Sequence, residues 1–218
     1  MSPIRVERFE VGPLATNCYL VYSGGKAIVV DPGWPSDVDA VHRRIRELEV
    51  EVEAIVATHG HFDHILGVGR LRELGYEAPF MIHANDAAIA ASAHLVARQW
   101  LGVSVDPPPA PDELVREGLT IRLGGVELAV WETPGHSPGS VTLLAGDSAI
   151  VGDVLFRGSI GRVDLPGGSW EDMKKSLRRL AALPRETKVY PGHGPSTSIG
   201  LELADNYFVK VALEESET

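Results

Sequence analysis

The sequence predicts an α/β protein in which two strand-rich halves pack sheet against sheet, with helices on the outside. Two observations predict it. Strand-like and helix-like segments alternate along the chain, and each half opens on strands and closes on helices. Between the halves lies Asp106-Pro107-Pro108-Pro109-Ala110-Pro111, a connector over 106–111 that can be neither helix nor central strand. The halves run over about 1–105 and 112–218. They share a pattern and no sequence repeat, and we expect them to form one domain over 1–218.

The first half begins with strands over Ile4 to Glu10, Asn17 to Ser23 and Lys26 to Asp31, the last two joined by a Ser23-Gly24-Gly25 hairpin turn. Asp31-Pro32-Gly33 stops the third strand. Ser36 is the expected cap of a helix whose apolar face is Val38, Val41, Ile45 and Leu48. A buried strand over Glu53 to Thr58 runs into a histidine cluster, and a helix follows from about His64 to Leu74. Pro79 to His83 reads as a strand, and Asn85 as the cap of an Ala-rich helix from Asp86 to about Gln99. The second half has strands over Leu119 to Leu123, Val126 to Glu132, Ser140 to Ala145 and Ser148 to Asp153. Ser169 and Asp172 read as a capping box for a helix with Met173, Leu177 and Leu180 on one face. A strand over Thr187 to Tyr190 and a helix from about Ile199 to Val209 close the chain.

With 30 acidic against 20 basic residues, the formal net charge of -10 repels phosphate backbones, so no nucleic-acid partner is expected. Cys18 is the one cysteine, which excludes an intrachain disulfide. Its place in the apolar run Cys18 to Tyr22 makes it a buried strand residue. Met1 to Glu10 alternates apolar and charged residues without the apolar core of a signal peptide. No apolar run approaches the roughly 20 residues of a membrane helix, so a cytoplasmic protein with no membrane partner is expected.

Thr58-His59-Gly60-His61-Phe62-Asp63-His64 packs three histidines and a carboxylate together directly after a buried strand. Imidazole nitrogen and carboxylate oxygen are natural donors for zinc and its first-row neighbours. Gly60 is expected to let the backbone turn tightly so that the donors converge. Given the chain's composition, His-x-His-x-Asp-His arises by chance on the order of once in a thousand such chains. Thr133-Pro134-Gly135-His136, Val151-Gly152-Asp153 and Pro191-Gly192-His193-Gly194 each place another donor on a loop leaving a strand, where α/β folds put their chemistry. Each alone is a commonplace turn. Together the five histidines and two aspartates are the inventory of a two-metal site. His42, His83 and His94 fall outside it, and Trp34, Trp100, Trp131 and Trp170 read as packing residues.

This motif, preceded by Asp31-Pro32-Gly33 and followed by His136, Asp153 and His193, resembles the metallo-β-lactamase superfamily over nearly the whole chain. The resemblance implies a four-layer αβ/βα sandwich with the site on one edge of the two sheets. It implies one divalent metal held by His59, His61 and His136, a second held by Asp63, His64 and His193, and Asp153 bridging. Zinc is the expected ion, and iron or manganese suits the same donors. It implies that Asp31 orients the histidine loop, as a carboxylate fixing a liganding imidazole does. Gly152 to Arg162 and Pro191 to Thr197, with Glu202 and Asn206 behind them, resemble the glyoxalase II group of hydroxyacylglutathione hydrolases. In that group a basic residue at the place of Arg162 helps bind the glutathione part of the substrate, so Arg162 is the candidate substrate contact, with Arg157 a weaker one. There are two departures. Asp164 stands where the group tends to place a tyrosine, and the chain ends about 25 residues after His193, short of the group's helical extension.

The expected function is therefore a metal-dependent thioesterase acting on a small molecule. Asp63 and Asp153 are the expected catalytic carboxylates, holding a metal-bridging hydroxide that attacks the thioester carbonyl. The thiolate, from a thiol of pKa about 8.5, leaves readily. No Gly-x-Ser-x-Gly elbow offers a serine nucleophile. The same motifs admit a persulfide dioxygenase-like oxidoreductase with one iron at His59, His136 and Asp153, or another hydrolase such as a lactonase. A degenerate member that only binds a partner would have lost donors, and all seven are present.

Overall fold

The computed structural model describes residues 4–215. The sequence reading of Met1 to Glu10 therefore falls partly outside the described residues. The first sheet holds β1 (Arg5–Val11), β2 (Thr16–Ser23), β3 (Lys26–Val30), β4 (Glu51–Val56), β5 (Phe80–His83) and β6 (Glu113–Val115), side by side in that order. β1 to β3 form an antiparallel meander, and β3 to β6 run parallel. The parallel pairs need crossovers, and helices supply them: α1 (Val38–Leu48), the pair α2 (Phe62–Ile65) and α3 (Val68–Glu73), and the pair α4 (Ala87–Ala91) and α5 (Ala93–Leu101). The second sheet holds β7 (Thr120–Leu123), β8 (Val126–Glu132), β9 (Val141–Ala145), β10 (Ser148–Gly152), β11 (Lys188–Pro191) and β12 (Thr197–Ser198), again in chain order. Only β10 and β11 are parallel, and α6 (Trp170–Ala181) crosses between them. α7 (Ile199–Asp205) and α8 (Tyr207–Glu214) follow.

The continuous apolar runs arise because both faces of these strands are covered. In β3, Ala27 and Val29 pack against Val41, Ile45 and Leu71 of the helices, while Ile28 and Val30 meet Leu128, Val130 and Leu143 of the second sheet. On that sheet's far face, Val151 and Val189 pack on Met173, Leu177 and Leu180 of α6. The result is four layers, helix–sheet–sheet–helix. Cys18 lies in the outer cluster with no exposed surface, and burial pushes its thiol far above the ordinary range, so it is inert packing. Among the described residues no helix is long and apolar enough to cross a membrane.

Several local expectations need correction. The helix expected over His64 to Leu74 starts at Phe62 and breaks at Gly67, where a Cβ would stand 1.9 Å from the Pro32 carbonyl oxygen. That close approach presses α2 against the Asp31-Pro32-Gly33 turn, with Gly33 N–H donating to His64 O and Gly67 N–H to Gly33 O. The Ala-rich helix is two helices meeting at Ser92, whose hydroxyl donates back to Ala88 O and Ile89 O. Asn85 caps nothing with its side chain; the His83 ring accepts from the Asn85 N–H. Asp37, not Ser36, is the N-cap of α1. The final helix breaks at Asn206, whose side-chain oxygen accepts from Phe208 N–H and Val209 N–H and starts α8. Ser169 caps α6 as expected, accepting from Asp172 N–H. β6 was not expected: three residues after the prolines rejoin the first sheet beside β5.

The inter-sheet cluster is the part of the core with no helix to fall back on. Leu143→Ala, at a side chain 1% exposed, is expected to lower stability in urea unfolding by about 3 kcal/mol. A loss under about 1 kcal/mol would mean that the two sheets are held by something other than this cluster.

Candidate metal centre

Every expected donor sits just past the end of a strand on one edge of the sandwich, or on the short helix α2. His59 follows β4, His136 follows β8, Asp153 follows β10 and His193 follows β11, while His61 is the N-cap residue of α2, which carries Asp63 and His64. All seven donors come together. Three triplets have ligand atoms within 4.8 Å of one another: His59, His61 and His136; Asp63, His64 and His193; and His59, His64 and Asp153. Asp153 lies between the first two. Its Oδ2 is 3.4 Å from His136 Nε2 and 3.5 Å from His193 Nε2, and its Oδ1 is 3.5 Å from His64 Nε2.

Hydrogen bonds from behind fix which nitrogen each ring presents. His136 Nδ1 donates to Arg162 O at 2.8 Å, and His193 Nδ1 to Leu14 O at 3.1 Å, since a carbonyl can only accept. His64 Nδ1 meets Asp31 Oδ2 at 2.9 Å. The Thr58 hydroxyl donates to Asp31 Oδ2 at 2.7 Å, which leaves its oxygen to accept from His59 Nδ1 at 3.1 Å. All four rings thus turn Nε2 into the cluster. His59 Nε2, His64 Nε2 and Asp153 Oδ1 are buried there without a hydrogen-bond partner. Buried polar atoms are nearly always paired, so three orphans converging on one point fit a cation. The seven side chains, five nitrogen and two carboxylate donors, fit a pair of divalent metals.

Sequence reasoning missed four residues that hold this arrangement. Asp86 is fully buried; its carboxylate accepts from Gly60 N–H, Ser137 Oγ and Gly139 N–H, which ties the His59–His61 loop to the loop carrying His136. This also corrects the role given to Gly60. Its backbone makes no left-handed turn; a Cβ there would stand 2.8 Å from Asp86 O, so the residue is small to let Asp86 approach. Thr16 Oγ1 donates to Asp63 Oδ2 at 2.8 Å. Asn17 Nδ2 donates to Pro191 O and Gly194 O on either side of His193. Thr58 stood beside the motif but carries no signal of its own. Asp86, Thr16 and Asn17 belong to no recognisable spacing, because each acts across the fold. The rings set aside do lie elsewhere: His42 Nδ1 pairs with the Tyr76 hydroxyl and His83 Nε2 with Glu132.

The two halves of the cluster differ electrostatically. Burial, then the neighbouring rings, holds His59 well below its ordinary pKa, and burial with His136 pushes His61 down to about 4. Those rings are neutral donors. Burial opposes charge on His64 too, but Asp63, Asp153 and Asp31 outweigh it and push the ring up to about 10. Burial likewise opposes ionisation of Asp63, yet His64, His193 and Thr16 hold its carboxyl below the usual carboxylate range. A cation on this side displaces a proton from His64 to reach its nitrogen.

A cavity of about 540 Å3 opens over the cluster. His61, Asp63, His136, Asp153 and His193 form its floor, and its walls are mostly apolar, with Phe62, Ile89, Phe156, Ile160 and Leu165 among them. Trp100, expected as a packing residue, is 51% exposed and lines the mouth. Arg162, the candidate substrate contact, lines the cavity, whereas Arg157 is exposed and outside it.

The family profile described as the Metallo-beta-lactamase superfamily matches residues 11–193, most of the chain and all seven donors. This chain belongs to that superfamily. Among its relatives, a probable metallo-hydrolase of Bacillus subtilis (strain 168), YqgX, is 37% identical over 206 residues, 93% of this chain and 96% of its own. The hydroxyacylglutathione hydrolase GloC of Haemophilus influenzae is 30% identical over 211 residues, 94% of this chain and 98% of its own. The crystal structure of TTHA1623 in a di-iron-bound form matches with a TM-score of 0.84 and 40% identity, covering 93% of this chain and 99% of that one. With its donor cluster, this member of the superfamily is a metal-dependent hydrolase.

Asp31 touches His64 directly and reaches His59 through the Thr58 hydroxyl, so its loss should weaken both metal positions. Asp31→Asn is expected to lower metal affinity by about 10- to 100-fold in a competitive chelator titration, with the fold retained by circular dichroism. Unchanged affinity would show that the rings keep their orientation without it.

Proposed function

We propose that the chain is a two-metal thioester hydrolase of the glyoxalase II type. The observation that carries this reading is what the cavity wall lacks. Outside the metal donors, the described lining residues that bear hydrogen-bonding side chains are Ser92, Gln99, Trp100 and Arg162, and none is an acid in the neutral range. A leaving amine needs a proton as the bond breaks; a thiolate, from a thiol of pKa about 8.5, does not. The wall therefore suits a thioester better than an amide.

His59, His61 and His136 would hold one cation, Asp63, His64 and His193 the other, and Asp153 both. The donor set suits zinc, and the di-iron form of the similar protein TTHA1623 makes iron the second choice. Such cations, when bound, polarise a carbonyl oxygen and lower the pKa of water to about 7. The remaining work falls to the chain. The attacking group is water, because Ser92 Oγ is committed to its own helix and Cys18 is sealed in the core. Asp63 and Asp153 orient that water from the cavity floor, Asp63 being held in place by the Thr16 hydroxyl. The apolar walls exclude bulk water from the acyl group and strengthen every charge interaction at the floor. The partner is a small molecule; a net charge of -10 disfavours nucleic acid.

The test is hydrolysis of two thioesters, S-lactoylglutathione and an uncharged N-acetylcysteamine thioester, by zinc- and iron-loaded protein. Turnover of at least one is expected, falling by about a hundredfold or more in His59→Ala. Turnover of neither, with oxygen uptake on a glutathione persulfide by the iron form, would replace this reading with the dioxygenase one.

A further inference from the structure

We propose that Asp86 is the positioning residue of one metal position, that of His59, His61 and His136, and leaves the other position alone. The assignment takes the pairing of donors from the two-metal reading and needs no substrate.

The five rings are not held alike. His59, His64, His136 and His193 each have a hydrogen bond from behind that fixes the ring. Among the described residues His61 has none: its one hydrogen-bond contact runs from Nδ1 to His136 Nε2, another donor of the cluster. Its place is therefore set by its backbone, and Asp86 holds that backbone. Gly60 N–H, between His59 and His61, donates to Asp86 Oδ2 at 2.8 Å. The same oxygen accepts from Ser137 Oγ at 2.7 Å, and Oδ1 accepts from Gly139 N–H at 2.7 Å. Ser137 directly follows His136. Since its proton goes to Asp86, the Ser140 hydroxyl donates to Ser137 Oγ and accepts from Ser137 N–H, which closes the loop after His136 around the carboxylate. A Cβ on Gly139 would stand 2.7 Å from Asp86 Cγ, and one on Gly60 2.8 Å from Asp86 O, so both loops are pared down to admit this side chain. Asp86 is fully buried, and a buried N–H left without its acceptor is costly, so both loops must follow the carboxylate.

The other position hangs on different groups. Asp31 holds His64, Thr16 Oγ1 holds Asp63, and Leu14 O holds His193. None of these groups is a hydrogen-bond partner of Asp86. An amide in place of the carboxylate has one oxygen for two sides. Asp86→Asn can serve Gly60 and Ser137, or Gly139, and sets its own N–H against the N–H of the side it abandons. The tie between the loops is cut while the volume is kept.

Two measurements on metal-free protein test this. In a calorimetric zinc titration the parent is expected to show two binding events. Asp86→Asn should weaken one by about 10- to 100-fold and leave the other within about threefold. Ser137→Ala, which removes one hydrogen bond to the same carboxylate, should weaken that event by about fivefold, and it decides the matter if Asp86→Asn does not fold. Proton NMR of the cobalt form identifies the position. Each cobalt-bound ring shifts its own exchangeable N–H, three from His59, His61 and His136 and two from His64 and His193. At a cobalt concentration that fills only the tighter position, both variants should keep the pair and lose the three. Equal loss at both positions, no loss at either, or loss of the pair instead overturns the proposal. So does the same selective loss in Leu143→Ala, which costs stability without touching these loops. A parent that binds one equivalent sinks the two-metal reading; Asp86 then keeps its role if that equivalent shows the three-ring set and weakens in Asp86→Asn, and loses it otherwise.

Discussion

The carboxylate of Asp31 joins three pieces of chain that meet nowhere else in this way: the end of β3, the loop after β4, and α2. It accepts from Thr58 N–H, Thr58 Oγ1 and His64 Nδ1, so both of its oxygens are in use. Its own backbone sits at φ +52, a left-handed conformation that aspartate tolerates better than most residues. The turn is held there by the close packing of α2 at Gly67 and by Gly33 N–H on His64 O. From this one buried anion the orientation of His64 follows directly, and that of His59 through Thr58. Since His59 also clusters with His61 and His136, and His64 with Asp63 and His193, a single carboxylate acts on both groups.

Asp86 does the corresponding work on the opposite side, tying the first histidine loop to the loop of His136 across the gap between the sheets. Three apolar clusters, two covering the outer faces of the sheets and one between them, stabilise the fold that carries these loops. Local rules are broken at the site and obeyed in the core, which is the usual division between what binds and what folds.

The same division explains what could be read from the sequence. The four layers were legible because β2, β3, β10 and the face of α6 carry apolar patterns that buried elements must have. All seven donors were legible because His-x-His-x-Asp-His is local and the other three stand at strand ends. Helix breaks were not, because they answer to tertiary events: Gly67 yields to Pro32, and Asn206 turns its Nδ2 onto Ser159 O and Glu202 while its oxygen caps α8. β6 is too short for any periodicity to show. Asp86, Thr16 and Asn17 are ordinary polar residues until the fold carries them to partners 26 to 177 positions away. Trp100 looked like core and instead lines the cavity, since aromatic content alone says nothing about which side of a helix meets solvent.

Cavity and cluster together place seven donors for metal at the floor of a mostly apolar cavity. All of this depends on the seven donors forming one centre with Asp153 shared between two ions. Anomalous scattering from crystals of the zinc-loaded protein tests that most directly. Two peaks about 3.5–4 Å apart, with Asp153 in contact with both, are the expected result. One peak at full occupancy, with Asp63, His64 and His193 empty at saturating zinc, would contradict the account.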